Sequence, residues 1–205
     1  MTQLITLSGA GATGKTSVVE ELHRLMPDKS IIHRSIVREF YAQEGVANET
    51  EFLGLPAGQR HEFQLALFNH YLMRIEEEAR MCTRDVMLCE RSVFDHFAYT
   101  LYGTRELLTA DDLQTLWHGV RRFMALKPRT FYLPYPTPWD KDGADGFRAR
   151  EVAKDTLVDA MIAKLLSQSR AAWAGTVPFL PVYDRAMFIV REVWNAGSPG
   201  NGGTP

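Results

Sequence analysis

Apolar residues along this chain switch repeatedly between two periods. Short continuous runs at Leu4-Ile5-Thr6-Leu7, Ser30 to His33, Val86-Met87-Leu88-Cys89 and Thr130-Phe131-Tyr132-Leu133 are closed by glycine, proline or charge. They read as parallel strands buried on both faces. Between them apolar positions recur at helical spacing. Val18, Val19, Leu22, Leu25 and Met26 predict a helix stopped by Pro27, and Ser35 to Tyr41 a helix or turn ending near Gly45. A long helix is expected from Gln59 to about Thr83, with Phe63, Leu67, Tyr71, Ile75 and Ala79 as its buried stripe. Val93, Phe94, Phe97, Ala98 and Leu101 predict another helix. The next begins near Thr109 and carries Leu113, Leu116, Trp117, Val120, Phe123 and Met124 inside. Further helices are expected from about Arg148 to Trp173, with Leu157, Met161 and Leu165 inside, and from Asp184 to Trp194.

Three stretches break the periodicity. Val46 to Gly58 holds Gly54, Pro56 and Gly58 and reads as a loop. Val177 to Tyr183, interrupted by Pro178 and Pro181, reads as a last strand at the sheet edge. Pro134 to about Arg150 is rich in Pro, Gly and Asp, too polar for core, and reads as a lid. Five strand–helix alternations predict an α/β domain over residues 1–194, with a doubly wound five-stranded parallel sheet and ligands at the carboxyl ends of its strands. Residues 195–205, mostly Gly, Ser and Pro, are expected to be a disordered tail.

The first strand feeds into Gly9-Ala10-Gly11-Ala12-Thr13-Gly14-Lys15-Thr16, a complete P-loop in the strand-to-helix context that the motif requires. Gly9 and Gly14 let the backbone turn so that consecutive N–H groups point at phosphate, which then sits on a helix N-terminus. ATP is therefore expected over Gly9, Ala10, Gly11, Ala12, Thr13, Gly14, Lys15, Thr16 and Ser17. Lys15 is expected to face solvent and reach the β- and γ-phosphates. The Thr16 hydroxyl suits Mg²⁺, a cation that prefers hard oxygens.

Composition narrows the class. With 205 residues, 45% of them hydrophobic, one core is the default. A net charge of −2 gives no global attraction to nucleic acid or anionic membrane. Cys82 and Cys89 make no disulfide framework, and no His/Cys cluster has zinc spacing. With no apolar run of spanning length, a cytoplasmic protein without membrane partners is expected.

Phosphoryl transfer needs positioning and charge neutralisation more than covalent chemistry. Glu90, at the carboxyl end of the third strand, stands at the Walker-B position and is expected to hold Mg²⁺ with Thr16 or to accept the proton of the attacking hydroxyl. Arg91 beside it is expected to reach phosphate or the acceptor oxygen. Arg148 and Arg150, after Asp145-Gly146, are expected to fold over the γ-phosphate as an arginine finger does. Arg38 and Glu39 stand where an acceptor would approach, and a surface salt bridge explains them equally well. For Asp95, Ser92-x-x-Asp95 resembles a capping box, so a helix cap and a substrate contact both remain open.

The segment Leu88-Cys89-Glu90-Arg91-Ser92-Val93-Phe94-Asp95-His96-Phe97-Ala98-Tyr99 resembles the Asp/Glu-Arg-Ser-x-x-Asp-x-x-Ala-Tyr signature of small P-loop kinases of the nicotinamide riboside kinase-like group. Its Glu-Arg-Ser triplet is also similar to that of deoxynucleoside kinases. Asp145-Gly146-Phe147-Arg148 resembles the lid element of the same group, and Arg38-Glu39 the segment after its second strand. The resemblance implies an ATP-dependent kinase with a small nucleoside- or nucleotide-like acceptor, in which Arg91 and the lid arginines organise phosphates. These kinases often carry an acid three residues before Arg38, where this chain has Ser35, so the general base stays unassigned.

Other classes fit less well. No Asn-Lys-x-Asp motif reads guanine, and no length remains for the helical domain of an AAA-type remodeller. A non-catalytic nucleotide-binding regulator stays an alternative, with the lid arginines arguing for chemistry instead. The alternative acceptor is nucleic acid, as in phage-type kinases of hydroxymethylated pyrimidines in DNA, with Arg121, Arg122, Lys127 and Arg129 as the local patch. The oligomeric state is not readable from these patterns.

Overall fold

A computed structural model describes residues 2–135, 152–170 and 172–195. Most of the expected lid, with Arg148 and Arg150, and the tail from residue 196 lie outside the described residues.

Strand β1 (Gln3–Ser8) runs through the phosphate loop into α1 (Lys15–Leu25), followed by β2 (Ser30–His33), α2 (Val37–Gln43), α3 (Glu49–Gly54) and α4 (Ala57–Met81). Then come β3 (Val86–Cys89), α5 (Val93–Thr104), α6 (Ala110–Ala125), β4 (Arg129–Tyr132), α7 (Val152–Gln168), β5 (Trp173–Thr176) and α8 (Val182–Asn195). The sheet has five strands in the order β2-β3-β1-β4-β5, and every pairing is parallel. Alternation along the strands splits the core in two. Leu4, Met87 and Cys89 face the helices α4 to α7, while Ile5, Leu7, Val86, Leu88 and Phe131 pack against Val18, Val19 and Leu22 of α1 and Ala186, Ile189 and Val193 of α8. This is the doubly wound α/β fold that the strand runs predict.

The order reverses around β1. Thr6 lies beside Cys89 and Ser8 beside Tyr132, so the loops after β1, β3 and β4 emerge together at one edge.

Several expectations need correction. Residues 46–58 are not a continuous loop. Asn48 accepts from the Glu51 amide, and the Glu51 carboxylate accepts from the Ala47 amide at 2.6 Å, which starts the short helix α3. The last strand is Trp173–Thr176 and not Val177–Tyr183. Only Val177 continues that ladder, giving its N–H to the Tyr132 carbonyl; Pro178 and Pro181 have none to give, and α8 starts at Val182. The helix expected to reach Trp173 ends at Gln168. Its buried stripe is Val158, Ile162, Leu165 and Leu166, whereas Leu157 is 53% exposed. Leu113 at the wet edge of α6 is also exposed. Among the described residues, no helix is long and apolar enough to cross a membrane.

Candidate functional site

The loop after β1 is shaped by two glycines. A Cβ at Gly9 would meet the Leu133 carbonyl oxygen at 2.3 Å, so only glycine lets β1 pass beside the end of β4. Gly14, at φ 85°, makes the left-handed turn into α1. Between them Ala12 also sits at φ 58°, a strained setting for a residue with a Cβ.

Behind the loop, three consecutive amides go to three side chains. Gly9 donates to Asp95 Oδ1 at 3.0 Å, Ala10 to Asp159 Oδ1 at 3.3 Å, and Gly11 to Tyr99 Oη at 3.0 Å. Asp95 is fully buried. Its Oδ2 also accepts from Ser8 Oγ at 2.6 Å, and from the Ser92 amide and hydroxyl at 3.0 and 2.8 Å. The Ser92 hydroxyl accepts from the Phe94 amide in turn. The Ser92–Asp95 capping box thus starts α5 and clamps the phosphate loop with one carboxylate. Beyond Gly14, the first N–H groups of α1 have no acceptor within the helix and carry the positive end of its dipole, the local chemistry of an anion site. Ser17 lies exposed in this first turn.

Lys15 differs from expectation. It is buried, and its ammonium donates to the Gly9 carbonyl at 2.8 Å, the Ala10 carbonyl at 2.6 Å and Thr13 Oγ1 at 3.2 Å. A buried ammonium needs such oxygens, and those of its own loop are nearest.

Thr16 Oγ1 donates to Glu90 Oε1 at 2.5 Å. This brings together the hydroxyl at the start of α1 and the carboxylate after β3, two hard oxygens of the kind that Mg²⁺ takes. Arg91 is buried beside them, its guanidinium 5.3 Å from the centre of the Tyr99 ring. Burial alone would lower its pKa, but Tyr99, Asp95 and Glu90 outweigh that and hold it above the ordinary arginine value. The Arg91 Nε has no hydrogen-bond partner among the described residues. Its carbonyl accepts from Tyr71 Oη at 3.0 Å, and the Tyr71 ring stacks on His96 at 4.2 Å. Burial, then the charges of Arg91 and His33, push the His96 pKa well below its ordinary value.

Arg38 and Glu39 are exposed on α2. Glu39 accepts from Gln43 at 3.3 Å and pairs with Arg74 at 3.5 Å; Arg74 pairs with Glu78, which holds His33 Nδ1 at 2.6 Å. Two of the four basic residues of the candidate nucleic-acid patch are engaged elsewhere. Arg122 grips Glu76 with two nitrogens, and Arg129 donates to the carbonyls of Glu192 and Val193.

Two residues that the sequence patterns did not single out complete the site. Asp159 on α7 holds Ala10. Arg185 on α8 donates to the Thr13 carbonyl at 3.0 Å and the Leu180 carbonyl at 2.5 Å, with the Phe179 ring 4.7 Å away. Burial lowers the Arg185 pKa.

A family model described as an AAA domain matches residues 4–173. The chain belongs to the AAA-domain family. Solved structures similar to this AAA-domain protein share its fold. Deoxyadenosine kinase from M. mycoides with bound dCTP matches at TM-score 0.68 and 12% identity, over 94% of this chain and 100% of that one. Thymidylate kinase from Ehrlichia chaffeensis matches at TM-score 0.58 and 14% identity, over 92% and 98%. NadR protein in complex with NR matches at 0.61 and 15%, over 93% of this chain but only 49% of NadR. No curated protein matches in sequence. The fold is that of the P-loop nucleoside and nucleotide kinases.

Proposed function

We propose that this AAA-domain protein is an ATP-dependent phosphotransferase that moves the γ-phosphate to a hydroxyl of a nucleoside- or nucleotide-like acceptor. The observation that carries this reading is the convergence of Lys15, the Thr16–Glu90 pair and the buried Arg91 at the start of α1. A nucleotide-binding regulator needs the cradle alone. Transfer also needs a cation that meets the group in flight, and in this reading the buried Arg91, whose Nε has no hydrogen-bond partner among the described residues, supplies it.

In this reading the amides at the start of α1 seat the phosphates, and Lys15 exchanges loop oxygens for phosphate oxygens. Thr16 and Glu90 would hold Mg²⁺, which would supply positive charge to offset that of the phosphates. Arg91 stabilises charge on the transferred group. Asp95 acts by fixing Gly9, since its carboxylate is spent on Ser8, Gly9 and Ser92. Arg38 and Glu39 line the approach of the acceptor. The sequence reading of residues 134–150 as a lid carrying Arg148 and Arg150, most of which lies outside the described residues, predicts that Arg148→Ala slows transfer and that amide exchange over this segment falls when both substrates bind.

The test is transfer of label from γ-labelled ATP and Mg²⁺ to a panel of nucleosides and nucleoside monophosphates. A labelled phosphoester is the expected product. Release of inorganic phosphate at the same rate with and without the panel would reject a kinase.

A further inference from the structure

Asp159 lies 149 residues from Ala10 in sequence, on a helix that starts after β4 has left the phosphate loop. Asp159 is buried, 9% exposed, and its carboxylate accepts three hydrogen bonds. Oδ1 takes the Ala10 N–H at 3.3 Å, while Oδ2 takes Tyr132 Oη at 2.5 Å and the Tyr135 N–H at 3.1 Å. Burial, followed by the bond to Asp159, raises the Tyr132 phenol pKa, so Tyr132 stays a neutral donor.

The two backbone groups of Ala10 point at opposite partners. Its N–H goes to Asp159, and its carbonyl accepts from Lys15 Nζ at 2.6 Å and from Thr13 Oγ1 at 3.2 Å. Any rotation of this residue moves the resting place of the phosphate-binding ammonium. The sign of the charge matters as well. A carboxylate beside a phosphate cradle repels the anion it is meant to receive, so electrostatics alone makes Asp159 a handicap.

We infer that Asp159 is a positioning residue for the phosphate loop: it fixes Ala10, and through Ala10 the Lys15 ammonium, by tying them to the end of β4. This rests on the proposed reading of the loop as an ATP site. Position and charge predict opposite outcomes. If Asp159 acts by position, Asp159→Asn weakens anion binding, because an amide cannot accept from all three donors. If it acts only by charge, the same change tightens binding.

The experiment is titration calorimetry of Mg²⁺-ATP, and of Mg²⁺-tripolyphosphate as a probe of the cradle alone, on the full chain. Calorimetry reports Kd and stoichiometry separately, so loss of folded protein lowers the stoichiometry and leaves Kd alone. Asp159→Asn should raise both Kd values by about tenfold, the scale of a lost hydrogen bond to a charged group. Asp159→Glu, which keeps the charge and displaces the oxygens, should also raise them, and it replaces the first variant if that one fails to fold. Kd values unchanged or lowered, with or without reduced stoichiometry, would overturn the inference. A wild-type chain that binds neither probe would instead reject the reading of the loop on which it rests.

Discussion

Gly9, Ala10 and Gly11 each give their amide hydrogen to a side chain of α5 or α7, whereas Arg38 and Glu39, on the side where an acceptor would enter, lie exposed on α2. The donor side is fixed from behind by buried carboxylates and a phenol, in surroundings where an unmade bond is costly. On the acceptor side, Glu39 meets Arg74 at 3.5 Å in water, a pair worth well under about 1 kcal/mol and free to rearrange. Under the proposed function the contrast would suit the two substrates: a triphosphate presents the same shape at every turnover and rewards a rigid cradle, while exposed groups such as Arg38 and Glu39 can reorient around an acceptor. Arg91 is buried like the first side, and its Nε has no hydrogen-bond partner among the described residues.

The largest effect should come from the donor side. Lys15→Ala removes the one ammonium of the loop and the bonds that it makes to Gly9, Ala10 and Thr13, so transfer from ATP should fall by at least about a thousandfold. Turnover near wild type would break the assignment of the loop. Arg91→Ala sharpens the boundary between the sides. The single-turnover rate should fall by on the order of a hundredfold with the Kd for Mg²⁺-ATP changed little, as for a cation that follows charge into the transition state. A collapse of ATP affinity with a normal rate would move Arg91 to the donor side.

Three smaller effects concern stability. Asp95→Ala leaves the Ser8 hydroxyl and the Gly9 and Ser92 amides buried without their acceptor, and should cost roughly 3 kcal/mol in denaturant unfolding. An equal loss from a surface aspartate such as Asp111 would show that the clamp is not special. His96 titrates in the unfolded chain near its ordinary 6.5, but its folded pKa is pushed well below that, chiefly by burial. The unfolded state then binds the proton first, so His96 contributes stability above pH 6.5 that is lost as the pH falls toward the folded pKa. His96→Gln should flatten the acid limb of a plot of Tm against pH, and an unchanged limb would exclude His96 as its source. The smallest change expected is at Ala12. Ala12→Gly relieves its positive φ and should alter stability by less than about 1 kcal/mol.

The phosphate loop and the carboxylate beside it were legible in the sequence because their chemistry is contiguous. Glycine spacing, Lys15 and Thr16 follow one another, and Glu90 is found by counting to the end of a strand. Local capping was legible too, since Ser92 and Asp95 are three apart. That the same Asp95 carboxylate reaches Ser8 and Gly9 was not, nor was Asp159 or Arg185, which meet the loop across 149 and 172 residues. Such contacts are products of the fold, with no trace in spacing. The direction in which Lys15 points depends on carbonyls that only the folded loop presents. Elsewhere, misreadings follow from weak local signals. Strand β5 is Trp-Ala-Gly-Thr, too short and small to compete with the apolar Val177–Tyr183 beside it. Helix α3 was hidden by Gly54 and Pro56, although Asn48 and Glu51 carry the spacing of a capping pair.

If the fixed side holds ATP and the open side takes a small nucleoside- or nucleotide-like molecule, the decisive measurement is the location of the label after reaction with γ-labelled ATP in one mixture of nucleosides, nucleoside monophosphates and hydroxymethylated duplex DNA, at low and high salt. Label is expected on a small-molecule hydroxyl, in a yield that salt changes little, and none with Lys15→Ala. Label confined to DNA, in a yield that falls steeply with salt as phosphate contacts are screened, would contradict this reading of the two sides.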